Sequence, residues 1–401
     1  MSASRAAVHR PAWHAVSALV LVCALFGCSN SPNRAAAPTP SSTSIPAPVT
    51  APHALPSAPT STAPLGGDLP AAFDPVSVTF VSLTRGWILG SEPCPTSSCA
   101  AIFRTDDGGS TWRRVPAPSV RVVGDVQTIR FADANNGWLF GPNLWTTHDG
   151  GEHWSPTTLP GESAPARVGA LEAANGSVHA AVFDGASTVQ IETSVVDADA
   201  WTQSPTTIPI GAGPVPDAQI VLHGSSGWLV EVDRTVVGGA RLVGDNWVPW
   251  DPPCLSVNGP MVLAAATSDD LAAICNEGVW GPPGPGPHTR LYLSSDGGAT
   301  FREVETPVPL GCCIPAVTSP APGSVVASGT ADGGVAVLLA TFDAGATWTP
   351  VLSTGDRGPW AEVGFTSSKQ GVAVSRGSDG KLGELAMTFD GGHNWRRVTS
   401  P

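Results

Sequence analysis

Thr105-Asp106-Asp107-Gly108-Gly109-Ser110-Thr111-Trp112 decides the fold, because it recurs. Related stretches are Thr147-His148-Asp149-Gly150-Gly151-Glu152-His153-Trp154 and Ser294-Ser295-Asp296-Gly297-Gly298-Ala299-Thr300-Phe301. Two more are Thr341-Phe342-Asp343-Ala344-Gly345-Ala346-Thr347-Trp348 and Thr388-Phe389-Asp390-Gly391-Gly392-His393-Asn394-Trp395. In each, an aromatic residue follows the repeated aspartate by five positions. An Asp-Gly turn of this kind joins two strands: the carboxylate accepts nearby backbone N–H groups, and glycine supplies positive φ at low cost. A Ser/Thr hydroxyl can close the loop from the other side. The aromatic is then expected to enter the next strand and point into the core.

Two degenerate copies fall in phase, Asp197-Ala198-Asp199-Ala200-Trp201 and Gly244-Asp245-Asn246-Trp247. The anchors are then Trp112, Trp154, Trp201, Trp247, Phe301, Trp348 and Trp395, spaced 42 to 54 residues apart. A four-stranded propeller blade has this period. A second element precedes each turn: an apolar strand, a polar turn, then Gly-Trp or an equivalent. Phe80 to Leu89 contains Gly86-Trp87, Ile129 to Phe140 contains Gly137-Trp138, Ile220 to Val230 contains Gly227-Trp228, and Val363 to Val374 contains Gly371-Val372. Each reads as strand A, a tight turn and strand B. The fold class expected is all-β: a seven-bladed β-propeller of four-stranded antiparallel blades over residues 76–401. Six or eight blades are the alternatives if a degenerate unit is misread. Blade 1 opens with strand A and blade 7 ends with strand D, so no strand exchange closes the ring, unless residues near Leu69 to Phe73 add one.

The rest of the chain has a different character. Arg5, His9 and Arg10 precede a twelve-residue run, Ala15 to Phe26, apolar except for Ser17. That is short for a bilayer span and fits the apolar region of an export signal over residues 1–27. It stops at Leu25-Phe26-Gly27-Cys28, which resembles a bacterial lipobox and makes Cys28 the expected lipidation site. An acylated cysteine would hold the protein at a membrane. Residues 28–75 are rich in Pro, Ala, Ser and Thr, as in a disordered tether. The expected location is the outer side of a bacterial cell membrane, reached through the lipid anchor only.

The 401 residues carry 33 acidic against 20 basic side chains, a net charge of −13. With no basic run in the mature chain, nucleic acid is excluded as a partner. The six cysteines beyond the signal, Cys94, Cys99, Cys254, Cys275, Cys312 and Cys313, are disulfide candidates in an exported protein. B–C loops and D–A connections share the propeller face opposite the aspartate turns, and all six fall toward it. The pairing expected is Cys94–Cys99, with Cys254 and Cys275 each joined to one of Cys312 or Cys313. Zinc is the rival reading, without a CxxC pair to support it. No metal site and no cofactor are expected: Asp106-Asp107 lacks the ligand spacing of a calcium loop.

The repeated turn resembles the Asp-box, or bacterial neuraminidase repeat, of the sialidase-like superfamily. Combined with Phe131-Ala132-Asp133-Ala134-Asn135-Asn136-Gly137-Trp138, it is more similar to the photosystem II stability and assembly factor family and its bacterial relatives. That resemblance implies a seven-bladed propeller and a binding role. The structural turn residues are Asp107, Gly109, Trp112, Asp149, Gly151, Trp154, Asp296, Gly298, Phe301, Asp343, Gly345, Trp348, Asp390, Gly392 and Trp395. The alternative is a sialidase-like glycoside hydrolase. Such enzymes need an arginine triad, a Tyr nucleophile paired with Glu, and an Asp acid/base. The sole tyrosine, Tyr292, sits on a strand C and reads as packing; Arg130, on a strand A, faces either the central mouth or a neighbouring blade. The expectation is therefore a non-catalytic, monomeric module, with no catalytic residue assigned and no converging arginines or paired carboxylates in the funnel. Its partner is an unidentified envelope protein or glycan.

Overall fold

The computed structural model describes residues 65–66, 69–94, 97–160, 167–183, 188–209, 217–233, 235–255, 259–277, 288–305, 308, 316, 317–330, 335–354, 358–378 and 381–399. The expected export signal of residues 1–27, the expected lipidation site Cys28, residues 28–64 of the expected tether, and Cys312-Cys313 lie outside them.

Seven antiparallel sheets follow one another along the chain, each built in sequence order from the axis outward. Blade 1 contains β2 (Asp74–Phe80), β3 (Gly86–Cys94), β4 (Ser97–Thr105) and β5 (Arg113–Val115). Blade 2 has β6 (Thr128–Phe131), β7 (Gly137–Phe140), β8 (Trp145–Thr147) and β9 (Ser155–Pro156). Blade 3 has β10 (Arg167–Ala174), β11 (Ser177–Phe183), β12 (Thr188–Val195) and β13 (Thr202–Pro209). Blade 4 has β14 (Asp217–His223), β15 (Ser226–Asp233), β16 (Thr235–Val243) and β17 (Asn246–Trp250). Blade 5 has β18 (Met261–Ala265), β19 (Asp270–Glu277), β20 (His288–Ser295) and β21 (Arg302–Glu303). Blade 6 has β22 (Val317–Ala321), β23 (Ser324–Thr330), β24 (Ala336–Thr341) and β25 (Thr349–Ser353). Blade 7 has β26 (Trp360–Phe365), β27 (Gly371–Ser375), β28 (Leu385–Thr388) and β29 (Arg396–Thr399). The chain is a seven-bladed β-propeller.

The ring is closed by packing and by a short latch. Val372, Val374, Leu385 and Met387 of blade 7 share a core with Val78, Ile88, Phe103 and Trp112 of blade 1. The Gln370 amide donates to the Leu83 carbonyl at 3.0 Å, and the Gly383 N–H donates to the Asp74 carboxylate at 2.7 Å. A two-residue strand, β1 (Leu65–Gly66), pairs parallel with β29, Leu65 opposite Val398. Leu69 and Phe73 are buried in the same blade 7–blade 1 core. Residues before position 76 thus belong to the propeller, and the closing strand lies just upstream of Leu69–Phe73.

One apolar cluster fills each of the seven blade-to-blade interfaces. The repeat explains this. In all five full copies the first Ser/Thr hydroxyl donates to the repeated aspartate and accepts from the second glycine's N–H: Thr105 to Asp107 at 2.8 Å and Gly109 to Thr105 at 2.8 Å are the first instance. The same carboxylate accepts the backbone N–H four residues on, for instance Thr111 at 2.8 Å. Its other oxygen accepts that residue's side chain, which is Thr111, Thr300, Thr347, Asn394, or the His153 ring. Gly109 (φ 87°) and Gly151 (φ 91°) provide the left-handed bends.

The anchor aromatic sits one residue before strand D rather than within it, except Trp247, the second residue of β17. It packs into the interface with the preceding blade. Trp112, Trp247 and Trp395 are each 2% exposed and Trp201 7%, so both degenerate copies hold the anchor's place. Trp154 and Phe301 are half-buried.

The Gly-Trp element has an equally local cause. Phe131 of strand A pairs with Gly137 of strand B. A Cβ on Gly137 would lie 2.6 Å from the Phe131 ring, so only glycine lets the ring lie across the strand. The following Trp87, Trp138 and Trp228 are fully buried and face the next blade. Burying such a side chain contributes about 2–3 kcal/mol. Trp87 stacks on Phe131 of blade 2 at 3.8 Å, and Phe131 meets Trp154 edge-on at 6.0 Å.

Candidate binding site

The innermost strands line the axis. On β6, Ile129 and Phe131 turn into the interface with blade 1, so alternation turns Arg130 to the other side of the strand, from which it reaches across the centre. Its Nε donates to Glu172 of β10 at 2.7 Å, and its Nη1 to Glu362 of β26 at 2.7 Å. Nη1 also reaches the Ile129 carbonyl at 2.9 Å and the Ser77 hydroxyl at 3.4 Å. Glu362 in turn accepts the Val78 N–H at 3.2 Å. One guanidinium thereby ties together inner strands of blades 7, 1, 2 and 3. The three side chains stay 23%, 31% and 21% exposed, recessed but wet.

This group corrects an expectation. Two carboxylates do converge on the axis, and the sequence reading missed both, because neither Glu172 nor Glu362 lies in a repeated motif. It also decides the direction of Arg130, which faces the centre. Burial pushes the Glu172 carboxyl upward and Glu362 adds to this, while Arg130 opposes; the net direction is up. The Arg130 guanidinium is raised: burial works against its charge, but the carboxylates of Glu172 and Glu362 outweigh it. The trio carries a net charge of about −1 when all three groups are ionised.

Other polar groups continue the lining. The Gln219 amide of β14 donates to the Leu263 carbonyl and accepts the Leu263 N–H, both at 2.9 Å, joining blades 4 and 5. At the loop-face ends of β10 and β14 stand Arg167, whose guanidinium lies 4.2 Å from the Phe183 ring centroid, and Asp217. Burial raises the Asp217 carboxyl.

The loop face is covalently fastened. Cys94 and Cys99 are bonded, but across the paired ends of β3 and β4 rather than in an open loop. Cys254, in the connection from blade 4 to blade 5, bonds to Cys275 of β19. The expected pairing of Cys254 and Cys275 with Cys312 or Cys313 is therefore wrong. Sequence order hid the reason: strand B of blade 5 carries Cys275 back beneath the connection that starts the blade, with Cα atoms 5.7 Å apart.

Tyr292 lies on β20, the third strand from the axis, and packs against the blade 4–blade 5 cluster. The fifteen turn residues sit at the opposite face from the disulfides, each in a hairpin. Hydrogen bonds hold Asp149 and Asp296 at about 2. For Asp149, burial pushes upward but the bonds from His153 and Thr147 prevail. For Asp296, the Thr300 hydroxyl bond is the main cause. Among the described residues no group of three or more His, Cys, Asp or Glu is placed to hold a metal ion.

No family model matches the chain, and no curated protein matches it. Solved structures do. YCF48 bound to D1 peptide is 20% identical, with 80% of this chain and 95% of that one covered at a TM-score of 0.56. YCF48 from Cyanidioschyzon merolae is 17% identical, with 80% and 97% covered at 0.54. The β-propeller domain of the Trilobed protease from Pyrococcus furiosus, described as having an open velcro topology, is 9% identical, with 82% and 98% covered at 0.54. At these identities the shared property is the fold, and the chain is similar to these proteins as a β-propeller.

Proposed function

We propose that the protein is a membrane-tethered, non-catalytic binding module of the Asp-box type, which holds a segment of an envelope protein at the axis of its propeller. The observation that carries this reading is the Arg130–Glu172–Glu362 group. It places fixed, partly hydrated charges where seven inner strands converge, and a recess with a few convergent polar groups is the usual form of a binding site. Its net negative charge suits a segment bearing a lysine or arginine. The likeness to YCF48, solved with a bound D1 peptide, supports a peptide as the type of ligand. The lipobox at Cys28 and the Pro-rich stretch after it would place the module outside the membrane on a tether.

The test has two steps. The chain is used to capture proteins from its own cell envelope, and each captured protein is purified and titrated against wild type, Glu172→Gln and Glu362→Gln. The reading expects a partner whose affinity falls about tenfold or more in either variant, as when one charged hydrogen-bonding group is removed. A partner indifferent to both variants, or turnover of sialosides by the wild type, would overturn it.

A further inference from the structure

The residue between the Ser/Thr and the aspartate of the repeated turn takes no part in the bonds that close the loop. It is Asp106, His148 and Ser295 in blades 1, 2 and 5, but Phe342 and Phe389 in blades 6 and 7. The turn therefore needs no aromatic there, and leaving one in water is unfavourable. Phe342 is 36% exposed and Phe389 44%. Next to them in the ring, at the tip of the A–B turn of blade 1, Leu83 is 58% exposed.

The three belong to one surface, on the propeller face formed by the aspartate turns. The Phe342 ring stacks on the His393 ring of the blade 7 turn, centroids 3.7 Å apart. Phe389 lies in that same turn, whose Gly391 N–H donates to the Lys369 carbonyl at 2.9 Å. Gln370, beside Lys369, holds the Leu83 carbonyl. Contiguous exposed apolar side chains of this kind mark an interaction surface. Charge sets the sector apart as well. Lys369 offsets Asp390, and Arg85 and Arg104, bonded to Asp106 at 2.7 and 3.0 Å, offset Asp106 and Asp107. In blades 2 to 5 the same face exposes Asp133, Asp149, Asp197, Asp199, Asp269 and Asp296. The exposed valines of those turns, Val195 and Val243, stand on different blades.

The direction of the chain indicates what this face meets. β29 runs from the blade 7 turn toward the loop face, and β1 pairs with it in parallel, Leu65 opposite Val398 and Gly66 opposite Thr399. The chain therefore enters β1 from the turn-face side, at the outer edge of blade 7. The N-terminal stretch that carries Cys28 thus joins the propeller on the side, and at the blade, where Phe389 and its neighbours are exposed.

We propose that Phe342, Phe389 and Leu83 seat the turn face of blades 6, 7 and 1 on the lipid headgroup region of the membrane to which the chain is tethered. The inference rests on the tethered reading above. The apolar tips enter the boundary between headgroups and acyl chains, Lys369 meets anionic headgroups, and the carboxylate-rich turns of blades 2 to 5 are held off. Three side chains suffice, because a tether keeps the membrane surface at a high effective concentration. The loop face and its disulfides then point away from the membrane.

The experiment places the full acylated chain on vesicles of phosphatidylcholine and phosphatidylglycerol. A dansyl-bearing amino acid replaces exposed Ser368 in blade 7 or exposed Val195 in blade 3. Spin-labelled lipid is expected to quench the probe at Ser368 and to leave the probe at Val195 bright. Leu83→Asp/Phe389→Asp, at exposed positions, should leave Tm unchanged and lower the ratio of docked to free propeller about tenfold or more, as two apolar side chains no longer leave water. Lys369→Glu should lower it about fivefold on these vesicles and not on phosphatidylcholine alone. Equal quenching at both positions, or quenching unchanged in the folded double variant, would overturn the proposal. So would a Ser368 probe that stays bright on vesicles and is shielded only in whole envelopes, as by a protein or glycan. A chain that does not float with the vesicles would overturn the tether as well, whereas one that floats with Ser368 unquenched removes only the seat.

Discussion

The indole N–H of Trp87 in blade 1 donates to the Gly150 carbonyl in blade 2 at 3.0 Å, while the equivalent N–H of Trp138, facing blade 3, has no partner among the described residues. Both rings are fully buried. The difference follows from the neighbour: blade 2 has a complete aspartate turn, and blade 3 has only Asp197-Ala198-Asp199-Ala200-Trp201.

Replacing each tryptophan by phenylalanine separates packing from hydrogen bonding. Trp87→Phe strands a buried carbonyl, whereas Trp138→Phe removes an orphan donor. Trp87→Phe should cost about 1–2 kcal/mol more than Trp138→Phe. Urea midpoints at matched m-values measure the difference. Equal costs would deny the bond any role in joining blades.

His179 supplies a pH dependence. Burial lowers it from 6.5 to about 4, and its Nδ1 accepts from the Trp247 indole at 3.2 Å. The folded state thus favours the neutral ring. Stability is fully present above pH 6.5 and is lost as pH falls through about 4, by about 3 kcal/mol at 1.36 kcal/mol per unit. His179→Asn, which retains an acceptor near the Nδ1 position, should flatten chemical unfolding between pH 7 and pH 4. A slope that persists in the variant would contradict the assignment.

The aspartate turns act in a lower window. Asp149 and Asp296, held at about 2, keep their carboxylates ionised in the fold well below their ordinary 3.8. Their contribution is complete above pH 3.8 and disappears as pH falls through about 2. Asp296→Asn should lower Tm at pH 6 and reduce the fall in Tm between pH 4 and pH 2. Unchanged acid sensitivity in that variant, followed by calorimetry, would show that the turn carboxylate is not linked to folding.

The Cys254–Cys275 bond closes a loop of 21 residues in sequence separation. Loop-closure entropy assigns it about 3 kcal/mol. A Cys254→Ala/Cys275→Ala double variant should lose about that much, and a peptide map of unreduced protein should show Cys254 joined to Cys275. A map joining either to Cys312 or Cys313 would restore the pairing that sequence order suggests.

The ring was legible because its determinants are local. A turn whose five copies share an aspartate, a glycine and an aromatic at fixed offsets can be read directly. Trp201 and Trp247 followed from phase even where the turn had decayed. What could not be read depends on chain segments far apart in sequence. Glu172 and Glu362 meet Arg130 from strands 42 and 232 residues away. Leu65–Gly66 is too short to show alternation, and its partner is the last strand.

Ring closure is the central claim, and a cross-link tests it most directly. Leu83 in blade 1 and Lys369 in blade 7 are exposed, and Gln370, next to Lys369, bonds to the Leu83 carbonyl. In a Leu83→Cys/Lys369→Cys variant, a short bismaleimide should join the two positions in native protein, and peptide mapping should recover that link. Recovery of the link only after unfolding, or not at all while both thiols react, would mean that the seventh blade does not meet the first.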